Sequence, residues 1–302
     1  VIKPVTLPGV LSDHGAALRG AIDRSLKDFD LTMNFSLGRR ADLVSLSSRG
    51  ETVLNAKSGM RLSVVPGADG PWLSVRGQEV SVSGNISLTG GGAPTIQLGL
   101  DELQEGPAGF AIKAHDLTLK PWAAAGKTVS AELSIFSLSS ATDTFDLHTN
   151  GYLSLAGRIS GVDLKSTDIN GGVRVTRGDK GWQVTPEGAK CIKASTRGFV
   201  FGSITADPIS LDICPQGNGF IREDKANPAG AVTLGNVTLP FTTGSTSGTL
   251  GLSSATVDWS AKDGLAMTIL ADKLDLPLAI GDRTLTISGD DVRMGVATGK
   301  GS

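Results

Sequence analysis

The chain is poor in several things at once, and each shortage removes a class of function. Only two of its 302 residues are cysteine and three are histidine. None of His14, His115 and His148 has a His, Cys or acidic neighbour at a metal-ligand spacing, so no metal site is legible. Charged residues make up 19% and the formal net charge is -2, which leaves no electrostatic case for nucleic acid. Aromatic residues are 5%, with Tyr152 the single tyrosine, so buried area must come from Leu, Ile and Val. No run of 18 apolar residues exists, so no helix of this sequence spans a bilayer.

Catalytic motifs are missing too. Gly244-Ser-Thr-Ser247-Gly248 has its serine one place away from a nucleophile elbow. Gly217-Asn-Gly219 lacks the third glycine of a dinucleotide loop. Asp101-Glu102, Glu105 and Asp290-Asp291 would serve glycoside chemistry only if clustered in a cleft. In a turn-rich protein such acids are ordinarily solvated. The expectation is a protein that is not an enzyme and uses no cofactor or metal.

What the chain does have is 40 glycines and a period-two alternation of aliphatic with Ser, Thr, Asn and charged residues. It starts with Leu31, Met33, Phe35 and Leu37. The residues expected on the dry face follow in sets: Leu117 and Leu119; Leu133 and Ile135; Leu153, Leu155 and Ile159; Val173 and Val175; Ile209, Leu211 and Ile213. Further on come Leu250 and Leu252; Leu265, Met267 and Ile269; Leu285 and Ile287; and Val292, Met294 and Val296. One face is dry and one wet throughout.

Turn signals recur often enough to predict on the order of 20 strands. At about 4.8 Å per strand, a single sheet of that size would be near 95 Å long and must curl, split or form a groove. The fold expected is all-β: a long, strongly curved antiparallel sheet forming an elongated groove. A short amphipathic helix is predicted over 13–28, where Leu18, Ala21, Ile22, Leu26 and Phe29 make one stripe. A short helical turn is predicted near 121–126, started by Pro121 and ended by Gly126. Residues 1–302 read as one continuous segment of a longer protein, opening in a strand at Val1–Val5, with a subdivision, if any, near 140–150.

Cys191 and Cys214 lie near the outer ends of a strand–turn–strand stretch. They are either a disulfide, as an oxidising compartment would give, or two buried thiols. A disulfide closing this loop would stabilise by about 3.5 kcal/mol in the chain-entropy model.

These segments together resemble a known family. Asp116 to Leu138, Gly151-Tyr-Leu-Ser-Leu-Ala-Gly157-Arg-Ile-Ser-Gly161, the Cys191–Cys214-Pro215 hairpin and the strands from Leu250 to Val296 are similar to the AsmA-like superfamily of bacterial envelope proteins. The cysteine hairpin and the Leu250 to Val296 strands look most like its YdbH branch, especially alphaproteobacterial members. The resemblance implies a periplasmic segment of a protein anchored in the inner membrane outside these residues. It implies a β-groove that shields phospholipid acyl chains between the inner and outer membranes, with an outer-membrane lipoprotein as a candidate partner and no catalytic residues. The alternatives are a structural or adhesive envelope β-sandwich, or a carbohydrate-active β protein.

Overall fold

The computed structural model describes residues 9–40, 43–48, 50–67, 71–76, 78–106, 109–141, 144–159, 161–178, 181–217, 219–224, 227–261 and 266–297. The opening segment at Val1–Val5 and the position of Leu265 lie outside these residues. The protein is all-β, with one helix among the described residues, and its described ladders are all antiparallel. It divides into two compact units, Val1–Thr142 and Asp143–Ser302.

Unit 1 begins with α1 (Gly9–Ser25). The helix thus ends three residues before the predicted limit. Ser25 turns its hydroxyl back to the Ala21 carbonyl at 2.8 Å and meets Ser58 Oγ at 2.7 Å, while Phe29 already belongs to a strand. The buried stripe is also rotated from the predicted one. His14, Ala21 and Ser25 are buried, whereas Ile22, Leu26 and Phe29 are exposed.

The strands that follow are β1 (Phe29–Thr32), β2 (Phe35–Arg40), β3 (Leu43–Ser48), β4 (Thr52–Ala56), β5 (Arg61–Val65) and β6 (Leu73–Arg76). The longer β7 (Glu79–Thr89), β8 (Ile96–Gly106), β9 (Gly109–Ala124) and β10 (Lys127–Ser140) complete the unit. One edge of β7 carries β6 along its first half and β5 along its second. The sheet therefore forks there, into β6-β3-β2 and β5-β4-β1. On the other edge β8, β9 and β10 follow in order.

The predicted helical turn at 121–126 is absent. Strand β9 runs through it, and Ala125 and Gly126, both at positive φ, form a two-residue hairpin turn closed by the Ala124–Lys127 pair. Pro121 is tolerated in a strand because it sits in a bulge. Lys120 and Pro121 stand between the Leu119–Ala131 and Trp122–Val129 pairs, against Ser130 alone, so the missing N–H costs no ladder bond.

Unit 2 contains β11 (Phe145–Ile159), β12 (Val162–Gly178), β13 (Gly181–Glu187), β14 (Ile192–Thr196), β15 (Phe199–Phe201), β16 (Ile204–Ala206), β17 (Ile209–Pro215) and β18 (Ile221–Asp224). It ends with the long strands β19 (Asn227–Thr243), β20 (Thr246–Ser260), β21 (Ala266–Ile280) and β22 (Arg283–Ala297). The pairings arrange these twelve strands in eight ranks. Strand β12 is flanked by β13, β14 and β15 laid end to end. These pair with β18, β17 and β16, which in turn lie along β19. Ranks β20, β21 and β22 follow.

A line of irregularities crosses the last four ranks. Gly235, Ser254 and Asp291 have positive φ, and same-face neighbours there are three residues apart instead of two. Bulges aligned across neighbouring strands bend and twist a sheet locally.

Candidate functional site

Partners directly opposite in an antiparallel ladder share a face, so the registers assign every strand of unit 2 to two sides. One row runs Leu153–Ile169–Ala194–Leu211 across β11, β12, β14 and β17. Leu211 packs on the buried cluster Val237, Leu252, Ala255 and Ala271. From there the row continues Val237–Leu252–Leu274–Gly289 to β22.

The expected dry-face residues fall on this side. They are Leu153, Leu155 and Ile159 on β11, Val173 and Val175 on β12, and Ile209, Leu211 and Ile213 on β17. Leu250 and Leu252 on β20, Met267 and Ile269 on β21, and Leu285, Ile287, Val292 and Met294 on β22 join them. Val296 holds the register position opposite Met267; its side chain is outside the described residues. Eight ranks at about 4.8 Å make this face roughly 34 Å wide, and a 15-residue strand at about 3.3 Å per residue makes it roughly 50 Å long.

The apolar face is incompletely covered. Leu252 is buried at 7% exposure, but most of the other residues just named are only half-buried. Leu285 and Ile287 are 50% and 44% exposed. The bulge line keeps the face continuous, because three-residue spacing at Leu252/Ala255, Ala271/Leu274 and Gly289/Val292 matches from strand to strand.

The opposite side of unit 2 carries the polar groups. Arg174 donates to both oxygens of Asp146 at 3.0 and 2.7 Å, and His148 lies 3.0 Å from Asp146 and 3.1 Å from Glu187. The Arg174 hydrogen bond holds the Asp146 carboxyl below its ordinary pKa, against a smaller opposing effect of burial. Asp168 accepts from Ser154 at 2.7 Å, and its pKa is lowered by that bond first and by Tyr152 second. The same Asp168 pushes the Tyr152 phenol up.

Cys191 and Cys214 form a disulfide with Cα atoms 4.2 Å apart. The Ile192–Ile213 pair beside it is on the apolar face, so the register puts the disulfide on the polar one. It ties β14 to β17, in two ranks otherwise built of short strands.

Unit 1 has its own apolar face. Ile96, Leu100 and Leu103 on β8 match Leu119, Ala114 and Ile112 on β9, with a register shift at Leu98; Leu117, Ala114 and Ile112 in turn match Leu133, Phe136 and Leu138 on β10. The predicted Leu117, Leu119 and Leu133 lie here. Ile135 does not. Asp116, at φ 51, makes a bulge that brings Ala114 and Leu117 to one side. His115 then pairs with Ile135 and Gly99 on the polar side, and Ile135 is 54% exposed.

One end of unit 1 is capped by α1. The His14 ring meets the Trp122 ring edge-on at 5.2 Å, Asp13 accepts from Lys127 Nζ at 2.7 Å, and Ser25 meets Ser58. These contacts place the helix over the β4–β5 and β9–β10 turns. Met60 and Val129 nearby are 5% and 4% exposed.

Sequence reasoning missed a polar groove of about 610 Å³ on the other side of unit 1, lined by Ser81, Asn85, Asp101, Gln104 and His115 among others. His115 Nδ1 lies 3.0 Å from Asp101 Oδ1. The His115 ring occupies the space a Cβ on Gly99 would need, so any larger residue there would have to displace the ring. His115 and Asp101 are 14 residues apart in the chain, and only the β8–β9 pairing joins them. Of the acids considered for glycoside chemistry Asp101 alone lines it: Glu102 pairs with Lys113, and Asp290 and Asp291 are exposed on β22.

Among the described residues there is no group of three or more His, Cys, Asp or Glu able to hold a metal ion, and no helix is long and apolar enough to cross a membrane. No family model, curated protein or solved structure matches the chain.

Proposed function

We propose that this chain is a non-enzymatic lipid-transfer segment, whose apolar faces shield the acyl chains of phospholipids moving between two membranes. The observation that carries this reading is the apolar side of unit 2: eight ranks wide, continuous in register, and mostly half-exposed. A 16-carbon chain costs on the order of 12 kcal/mol to expose to water, at about 0.8 kcal/mol per methylene. A broad aliphatic face offsets that cost without any single tight site, which suits a cargo that must keep moving.

The chemistry of the two sides supports the same reading. The charges and the disulfide in the middle of the unit are turned away from the aliphatic side. The disulfide is compatible with an oxidising compartment, here the bacterial periplasm. The resemblance of the cysteine hairpin and its neighbouring strands to the YdbH branch of the AsmA-like superfamily points the same way, with anchorage in the inner membrane and an outer-membrane lipoprotein as partner.

The test is lipid capture. The 302-residue chain, purified from a bacterial extract without detergent, should carry phospholipid detectable by native mass spectrometry. Leu211→Asp and Ile269→Asp should each reduce the bound lipid several-fold while circular dichroism stays that of a β protein. A chain that folds but carries no lipid, and takes up none from phospholipid vesicles, would instead be a closed structural or adhesive module.

A further inference from the structure

One corner of the aliphatic side of unit 2 carries charge. The registers put Phe145, Arg177 and Trp182 in one row across β11, β12 and β13, next to the row Leu147–Val175–Val184 and on the same side. Ile221 of β18 extends the aliphatic row past Val184. One further step along that ladder sets Glu223 beside Trp182, whose backbone N–H it accepts at 3.0 Å. Arg177 and Glu223 thus flank Trp182 on strands two ranks, or about 10 Å, apart.

The corner is ordered by its own contacts. The Trp182 ring meets Phe145 edge-on at 5.2 Å, and the Arg177 guanidinium lies over it, 5.5 Å from the ring centroid. Among the described residues no carboxylate lies within ion-pair distance of Arg177. Arg174, on the other side of the same strand, is held bidentate by Asp146. The Arg177 fork is therefore available to an incoming acceptor, and Glu223 keeps lone pairs beyond the one given to Trp182.

These groups select a ligand by charge. A planar guanidinium suits the paired oxygens of a phosphate, and the neighbouring aliphatic and aromatic walls limit competition from water. A carboxylate on the far side of Trp182 suits a primary ammonium two methylenes from that phosphate. A quaternary ammonium has no N–H to give Glu223, and the guanidinium already covers the aromatic face that could take it. A headgroup with a phosphate and no cation leaves Glu223 to repel it.

We propose, on the lipid-transfer reading above, that this corner seats the phosphoethanolamine headgroup of a phospholipid, phosphate on Arg177 and ammonium on Glu223, with the acyl chains along Leu147, Val175, Val184 and Ile221. The probe is a set of vesicles holding equal amounts of ethanolamine, choline and glycerol phospholipids and of diacylglycerol, all with the same acyl chains. The 302-residue chain is equilibrated with them and re-isolated, and its lipid is quantified by mass spectrometry. The ethanolamine lipid should exceed the other two phospholipids about three- to fivefold, the range of one exposed charge pair. Glu223→Gln, whose amide oxygen still accepts the Trp182 N–H, should bring the three phospholipids level. Arg177→Gln should lower all three about fivefold relative to diacylglycerol. The headgroup comparison on the unaltered protein decides the point if a variant misfolds. Equal uptake of all four lipids, or an ethanolamine preference that Glu223→Gln leaves intact, would overturn the headgroup site and leave lipid transfer standing. Competition by soluble glycerophosphoethanolamine at the lipid's own concentration would overturn it in favour of a site for free phosphate esters. Uptake of no lipid at all would overturn the site together with the reading it rests on.

Discussion

The two units solve the same problem differently. Each has an aliphatic side and a polar side built from antiparallel strands, but unit 1 also has a helix. Where α1 sits over the turns of unit 1, Met60 and Val129 are almost sealed. Unit 2 has no helix among its described residues, and outside the Val237–Leu252–Ala255–Ala271 cluster its aliphatic side remains half-exposed. Alternation alone makes a sheet with one dry side. A further element decides whether that side becomes a core or a surface. What unit 2 has instead is a covalent tie, placed where its ranks are broken into short strands.

The largest way to break the comparison is to remove that tie. Replacing Cys191 and Cys214 together by serine should cost unit 2 about 3.5 kcal/mol. Hydrogen exchange read strand by strand should show lost protection in β14, β17 and their neighbours, with β8 to β10 unmoved. Equal losses in both units would mean that they unfold as one.

A slightly smaller effect should separate sealed from open aliphatics. Leu100 in unit 1 is 5% exposed, so Leu100→Ala should cost about 3 kcal/mol by leaving a cavity. Ile287 in unit 2 is 44% exposed, and Ile287→Ala should cost about 0.5 kcal/mol or less by chemical denaturation. If the aliphatic side of unit 2 carries lipid, the second substitution should weaken lipid retention more than it weakens the fold.

Much of this architecture was legible in the sequence, for a definite reason. Alternation of period two is a local signal, and it marked the aliphatic side strand by strand. The bulges were not legible. Asp116, Ser254 and Asp291 adopt positive φ without being glycine, so composition does not announce them. One such residue shifts every later side chain to the other face, which is why Ile135 lies beside His115 and not beside Leu133. Pro121 and Gly126 misled in the opposite sense: their helix-like spacing is used by a bulge and a hairpin turn. The end-to-end trios β13–β15 and β16–β18 depend on pairing between remote segments. Of these the cysteines alone gave notice, by standing opposite one another beside Ile192 and Ile213.

A third, smaller effect tests whether the bulge line is a built feature of unit 2. Asn236 Oδ1 accepts the backbone N–H of Ser254 at 3.2 Å, which ties β19 to the positive-φ residue of β20. Asn236→Ala should cost about 0.5 kcal/mol, because the exposed N–H exchanges that partner for water. Ser254→Gly should instead stabilise by up to about 1 kcal/mol, because glycine adopts positive φ without strain. Thermal melts of the two variants should therefore move in opposite directions.

The smallest expected effect is on pH, and it should separate the polar side of unit 2 from the rest of the molecule. Asp146 and Asp168 are held below the ordinary carboxylate pKa, by Arg174 and by Ser154 with Tyr152 respectively. A carboxyl with a depressed folded-state pKa binds its proton less readily when folded than when unfolded. Its contribution to stability is therefore complete above the ordinary value of about 3.9 and is lost as the pH falls through the lower, folded value. Both groups join β11 to β12, so hydrogen exchange, corrected for the intrinsic pH dependence, should show that pair loosening first between pH 5 and pH 2. Asp168→Asn cannot be protonated in this range and should flatten part of that dependence. Its amide oxygen can still accept from Ser154, so the fold at neutral pH should change little. If β11 and β12 keep their protection in acid while β8 to β10 lose theirs, the carboxylates do not stabilise this side of unit 2.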